Sequence, residues 1–384
     1  MNAPKIPQSW DECTMEELTD IHKLIQEYGE NGREERNLHI WLRLAKLVIV
    51  KGEGETGDDG VRSYSLRRQG MDDGERFVCN AFDLGLYLNG VHVDGKDGDN
   101  LKQRIERKGA LDWVDLAVGK DGEGGLTQLP EETISFGGRT FQLPSPLITN
   151  IVYEQYSNIQ KLQQVAWQMA DALKDAYDGL REKEKQVAGM LSQDDKVTAD
   201  VLQEANAVKD EIAKSIGEIE RQSKELNEMR ARVLAHMLLQ RHWRWGQQEW
   251  MDNLRHHGLA VWRYEWKFDY KYTADEAERL TGWMNRHAPQ WLFDILTQHL
   301  QSCIGVYKTQ FPELFSGDGG GGRDVIPLIA EVDTVNAIMK WQQYPGQQEV
   351  YDSNAVQVFS VLNSMTKEAK AIDEANQKMR SHRK

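Results

Sequence analysis

Cysteine is scarce in this sequence, and the three that occur, Cys13, Cys79 and Cys303, lie far apart with no CxxC spacing. That argues against a disulfide framework and a thiolate zinc site, and it fits a reducing compartment. Long apolar runs are missing too. No stretch approaches about eighteen consecutive apolar residues, and Met1 to Trp10 lacks a basic region followed by an apolar core, so neither a membrane span nor a standard secretion signal is expected. The local signatures of common enzymes are absent: there is no GxSxG nucleophile elbow, no GxxxxGK(S/T) phosphate loop and no papain-like or caspase-like cysteine. Positive charge is short as well. The formal net charge of -14 repels phosphate backbones on average and confines any nucleic-acid contact to a local basic surface.

Apolar material is ample. With 384 residues and 40% hydrophobic content the chain can bury at least one sizeable core, and its length suggests two or three domains. Residues 14–28 place Thr14 as N-cap and Glu17 three residues on, followed by Leu18, Ile21, Leu24 and Ile25 at helical spacing, which predicts a helix. Residues 38–50 start helically through Ile40, Trp41 and Leu44 and end in β-branched Val48, Ile49 and Val50, so either element type fits. From 51 to about 125, Gly- and Asp-dense stretches (GEGETGDDG, DGKDGDN, GKDGEGG) separate the apolar islands 77–88 and 111–118. Residues 1–130 are therefore read as a small helical domain with exposed loops.

Residues 131–154 form a hairpin and a Pro-rich connection in this reading. Ile134 and Phe136 alternate before Gly137-Gly138, Phe141 and Leu143 alternate after it, and two glycines can both take positive φ in a tight β-turn. From 155 to 240 two amphipathic stripes follow. Leu162, Val165, Met169, Leu173, Leu180, Val187 and Leu191 mark the first, and SQDD at 192–195 offers a turn. Val201, Ala205, Val208, Ile212, Ile219, Leu226, Val233 and Met237 mark the second, with Asp210–Lys214 and Glu220–Lys224 as i,i+4 pairs. Two such helices joined by a short turn predict a long antiparallel, coiled-coil-like hairpin reaching about 60 Å.

Residues 241–315 change character, since seven of the twelve tryptophans fall between Trp243 and Trp291. Residues 261–272 alternate with period two, placing Trp262, Tyr264, Trp266, Phe268, Tyr270 and Tyr272 on one face of a strand within a mainly helical domain. This aromatic face is either a core strand packed under helices, the commoner use, or a platform for bases or sugars. Residues 275–310 read as helix, FPELF ends that block, and SGDGGGGRD at 316–324 reads as a linker and boundary. In 325–384, Ala355, Val358, Leu362, Met365, Ala369, Ile372 and Met379 step by threes and fours with one doubled step, a heptad seam in a terminal helix. The fold class is mainly α, with this hairpin, small β-hairpin elements and the C-terminal heptad helix.

Candidate chemistry is thin. GEGETG at 52–57 matches GxGxxG, but Asp58 and Asp59 stand where a pyrophosphate-binding helix should start. DGKDGDN at 94–100 and Asp121 to Gly125 lack the ligand spacing of a calcium loop. Six of the ten histidines lie between His236 and His299, and Glu249, Asp252 and His256 would share one helical face, but HExxH is absent. No catalytic, cofactor-binding or metal residue is expected, and RSHRK at 380–384 reads as cations at a helix C-terminus. The stripe residues carry the function instead: Val201, Val208, Ile212, Ile219 and Leu226 in the second long helix, and Val358, Leu362, Met365 and Ile372 in the terminal one.

Four islands carry a resemblance: SWDECTMEEL at 9–18, FGGRTFQLPSPLITNIVYEQY at 136–156, FPELF with its Gly-rich stretch at 311–322, and a final helix from 354. In these the chain resembles virion and tail-assembly accessory proteins of Bacteroidales phages and prophages. The resemblance implies a structural or assembly role in the bacterial host cytoplasm or in the virion, without a cofactor. Other phage structural or assembly proteins and further copies of this chain are the implied partners, with no membrane insertion. The segment 155–240 is longer than that pattern has it, which leaves a permanent structural part and a transient assembly chaperone both open. The alternative readings are a nucleic-acid-associated module using 241–272 and a metal-dependent enzyme built around His256.

Overall fold

The structure, a computed structural model, describes residues 6–29, 32–50, 63–70, 76–89, 109–115, 125–191, 199–240, 242–250, 261–269, 272–315 and 328–382. Within them the chain is mainly helical, with small antiparallel sheets. Helix α1 (Met15–Tyr28) starts where expected: Thr14 Oγ1 accepts from the Glu17 amide at 3.3 Å, and the Glu17 carboxylate accepts from the Thr14 amide at 2.8 Å. It buries Leu18 and Ile21 and packs against α2 (Arg33–Leu44), which buries Ile40, Trp41 and Leu44. The ambiguous stretch 38–50 is both element types in turn. Helix α2 stops at Leu44, Lys46 takes φ 54°, and β1 (Leu47–Ile49) begins.

Strand β1 pairs antiparallel with β2 (Ser63–Arg68), and β2 with β3 (Phe77–Asn80), ahead of α3 (Ala81–Asn89) and the short α4 (Asp112–Asp115). The reading of 1–130 as a small helical domain with exposed loops is corrected accordingly, because a three-stranded sheet stands inside it. Val48 and Ile49 face Arg67 and Leu66 across the ladder, pairings far apart in sequence that local periodicity does not reveal. The motifs at 52–57, 94–100 and 121–124 lie outside the described residues.

The Gly-Gly turn is as read. Strands β4 (Thr133–Phe136) and β5 (Arg139–Gln142) pair through Phe136 and Arg139, with Gly137 and Gly138 at φ 55° and 76°. Strand β6 (Leu239–Gln240) adds to the other edge of β5 and ties the end of the second long helix to the hairpin.

Helices α5 (Tyr153–Leu191) and α6 (Ala199–Met237) are each 39 residues long, and the turn predicted at 192–195 lies outside the described residues. They lie against one another. Gln155, early in α5, donates to the His236 carbonyl at 2.9 Å, and Lys183, late in α5, meets Glu211 at 3.4 Å and Ser215 at 3.3 Å. Two expectations need correction. Val165 is 40% exposed while Gln163 and Ala166 are buried, so the inward stripe of α5 is displaced from the most apolar residues. On α6 the closed surface pairs are Arg221 with Glu218 and with Glu225, not Asp210–Lys214 or Glu220–Lys224.

Strand β7 (His242–Trp250) pairs with β8 (Val261–Asp269) in a two-stranded antiparallel ribbon. The strand predicted at 261–272 is present, but its partner is a second strand in a stretch read as helical. Glu249 sits in β7, so the helical face of Glu249, Asp252 and His256 is overturned at that residue, and the other two lie outside the described residues. Helices α7 (Ala274–His287) and α8 (Gln290–Gln310) follow, separated at Ala288-Pro289, where Pro289 caps the next helix.

After α9 (Pro312–Phe315), α10 (Leu328–Gln342), α11 (Gln347–Tyr351) and α12 (Ala355–His382) return to the body. The Tyr153 amide donates to the Ser353 carbonyl at 2.8 Å, and Ala355 to Ile151 at 2.9 Å. Phe359 meets Tyr156 and Tyr307 edge-on, with ring centroids at 4.8 and 5.9 Å. One contiguous apolar core therefore runs from Ile6 and Trp10 through α8 to Val335, Val350 and Leu362.

Candidate functional site

Two polar clusters are buried in this body. The first closes the root of the β7–β8 ribbon, where the end of α6, Tyr272 and the first turns of α7 converge. Tyr272 Oη lies 2.6 Å from His236 Nδ1 and accepts from Asn158 Nδ2 at 2.9 Å. The other imidazole nitrogen, Nε2, faces Glu278 at 3.2 Å, and Arg232 Nε reaches both Glu278 oxygens at 2.8 Å. One proton assignment satisfies every atom: the tyrosine donates to Nδ1, and Nε2 donates to the carboxylate. Burial pushes the His236 pKa down, opposed in part by Glu278. Burial pushes the Tyr272 hydroxyl well up. For Glu278 burial acts against the charge, but Arg232 and His236 outweigh it and hold the carboxyl below its ordinary range. Directly against Tyr272 lies an opening of about 10 Å³, too small for a substrate.

The second cluster lines one face of α8. His299, Cys303 and Tyr307, spaced by four residues, hold the irregular stretches 126–127 and 145–148 on either side of the β4–β5 hairpin. His299 Nδ1 faces the Leu126 carbonyl at 3.1 Å and Nε2 the Ser145 carbonyl at 3.3 Å, while Tyr307 donates to the Leu147 carbonyl at 2.5 Å. Leu147 and Ile148 both take positive φ, 52° and 50°, a conformation disfavoured by about 1 kcal/mol or more per residue unless the surroundings enforce it. Asp11 accepts from the amides of Thr127 and Gln128 at 2.7 and 2.9 Å and anchors the first stretch.

A cysteine four residues from a histidine invites a nucleophile reading, which the chemistry here contradicts. Cys303 Sγ is 3.9 Å from both ring nitrogens, burial pushes its thiol up to about 12, and burial pushes His299 down. Both groups are neutral near pH 7, whereas an active cysteine needs its thiolate. Among the described residues no three His, Cys, Asp or Glu side chains converge as a metal site.

The third feature is a cleft of about 610 Å³ between α2, α3 and the first sheet, lined by Leu38, His39, Tyr64, Phe82 and Leu88 among others. Phe82 and Tyr87 on α3 and Val78 on β3 are exposed.

The stripe residues named from the sequence divide three ways. Ile219 and Leu226 on α6 are buried, as are Ala166 and Val187 on α5 and Ala205 on α6, all outside the contiguous core. Val208 and Ile212 are half-buried, and the side chain of Val201 lies outside the described ones. On α12, Val358 and Leu362 are buried in the main core and Met365 packs at its margin, but Ile372 is 55% exposed. The seam thus continues past the body it packs on.

Neither the family models, the curated proteins nor the solved structures compared with the chain gave a match. Function is read from the geometry and the sequence pattern.

Sequence reasoning did not pick out the His236 network. The two groups that face the imidazole, Tyr272 and Glu278, are 36 and 42 residues from it, and the available signal was a histidine in the last turn of a long helix, a position that suits a partner from the next element.

Proposed function

We propose that the chain is a non-enzymatic phage structural or tail-assembly protein that works through helix-mediated protein–protein contacts. The observation that carries this reading is the seam of α12: its apolar spacing is unbroken from Ala355 to Ile372, yet burial ends near Leu362, leaving Ile372 and Met379 exposed. The long pair α5 and α6, read as an antiparallel coiled-coil-like hairpin, supports it. Among the described residues its root alone joins the main core, and Tyr177 and Ile216 present apolar surface along its outer part. No helix among the described residues is long and apolar enough to cross a membrane. In this reading the partners are other phage structural or assembly proteins and further copies of the chain, met in the bacterial cytoplasm and carried into the virion.

The test is a pull-down of tail and capsid proteins combined with mass spectrometry of purified particles. Capture by the native chain, lost in an Ile372→Ser, Met379→Ser double variant, is the expected outcome. A strict monomer that is absent from particles and captures no tail or capsid protein refutes the proposal.

A further inference from the structure

Helix α12 outlasts the body it packs on. Ala355, Val358, Phe359 and Leu362 are buried, Met365 packs at the margin of the core, and from Lys367 to Met379 every side chain is exposed. That is more than three helical turns in water. Beside them the body supplies an ion pair between Lys370 and Glu313 on α9. A helix draws most of its stability from packing an apolar face, and a stretch of this length is marginal when its face packs on nothing. The outer half of α12 therefore calls for a covering surface.

Steps of seven from Ala355 reach Leu362, Ala369 and Asn376, and steps of seven from Val358 reach Met365, Ile372 and Met379. These two rows are the a and d positions of a heptad seam. In the exposed half the seam reads Ala369, Ile372, Asn376 and Met379, with Asn376 its one polar member. A single asparagine at an a position sets register and strand number, because its amide is satisfied by another amide and left unpaired against an apolar row. A second copy of the same helix, parallel and in register, sets Asn376 against Asn376. We propose that the segment from Lys367 to Met379 pairs with the same segment of a second copy of this chain, as a parallel two-stranded coiled coil about a twofold axis. This pairing rests on the helix-mediated reading of α12 and names the partner for that seam. It also fixes how the flanks meet. Glu368, at g, faces Asp373, at e, of the other copy, and the two like charges weaken the pair. With about two heptads in contact, association is expected at micromolar concentrations or above.

The experiment is analytical ultracentrifugation of the full chain from micromolar to submillimolar concentration. The native chain is expected to pass from monomer to dimer, and Ile372→Ser with Met379→Ser to raise the dissociation constant at least about 10-fold. Both side chains are more than half exposed, so the body folds without them, which an unchanged melting temperature at monomeric concentration verifies. Glu368→Lys sets a cation against Asp373 of the other copy and lowers the constant at least about 3-fold, whereas Glu374→Lys, the same charge change at the outward f position, leaves it within about 2-fold. Asn376→Cys gives a disulfide-linked dimer under a mild oxidant that leaves the native chain unlinked. A native chain that stays monomeric throughout overturns the proposal, and so does a dimer indifferent to Ile372→Ser with Met379→Ser. A dimer that Glu368→Lys tightens no more than Glu374→Lys, or that Asn376→Cys does not cross-link, is not parallel and overturns it too. A monomer that still captures tail or capsid proteins through Ile372 and Met379 overturns the second copy and leaves the phage reading standing, whereas a dimer that captures none sinks the phage reading alone.

Discussion

At Gly137 two constraints coincide. The residue sits at φ 55°, and a Cβ there would lie 2.7 Å from Trp283 Cζ2 and 3.0 Å from His287 Cβ. Gly138, at φ 76°, has open space around it. Gly138→Ala should therefore lose only the left-handed backbone penalty, about 1 kcal/mol, and Gly137→Ala about 2 kcal/mol or more, read as a larger drop in urea midpoint. Thr14→Ala removes half of a formed capping box and should cost about 1 kcal/mol by the same titration. Three buried histidines set the response to acid. His22 is pushed down to about 4 by burial, and His236 and His299 are also lowered by burial. Each is neutral in the folded chain but binds a proton in the unfolded chain below about pH 6.5, so folding is favoured above that pH and weakens as pH falls toward the folded values. For His22 the loss from pH 6.5 to about 4 is about 3 kcal/mol. Stability measured at pH 7.5, 6 and 5 should fall stepwise, and His22→Gln should flatten the decline. Equal stability at all three would contradict this account.

Among elements, α6 is two environments joined in one helix. Its last two turns belong to the main core, with Val233, Leu234 and Met237 buried there, whereas Ile219 and Leu226 are buried outside that core cluster. Leu234→Ala should cost about 2–5 kcal/mol. Ile216→Ala, at a position 42% exposed, should stay within about 0.5 kcal/mol, and amide exchange should be fastest in the parts of α5 and α6 outside the core cluster. The helices themselves were legible in the sequence, because Thr14 with Glu17, the Gly-Gly pair and the three- and four-residue stripes are short-range patterns. Strand β7 was not. HWRWGQQEW holds a glycine and four polar or charged residues between its tryptophans, and its strand character depends on nine pairings with β8, more than ten residues downstream.

For the whole molecule, the Gly-rich stretch 316–324 does not divide the chain into separate cores. Tyr153 and Ile151 are bonded to Ser353 and Ala355, and Phe359 packs among rings from α5, α8 and α9. If a protease site is introduced within 319–322 and cut, the two fragments should co-elute in gel filtration, and separation would show that the C-terminal helices do not need this core. By itself the sequence determined the mainly helical class, the N-cap of α1, the Gly-Gly turn and the limits of the two 39-residue helices to within a few residues, because each rests on contacts between near neighbours along the chain. Tertiary structure decided the rest. It alone set which end of the α12 seam is covered, that Val165 gives way to Gln163 and Ala166 on α5, and that His236, Tyr272 and Glu278 meet. The physical reason is that burial and hydrogen-bond partnership depend on which surfaces close over a residue, and those surfaces come from segments far away in the chain.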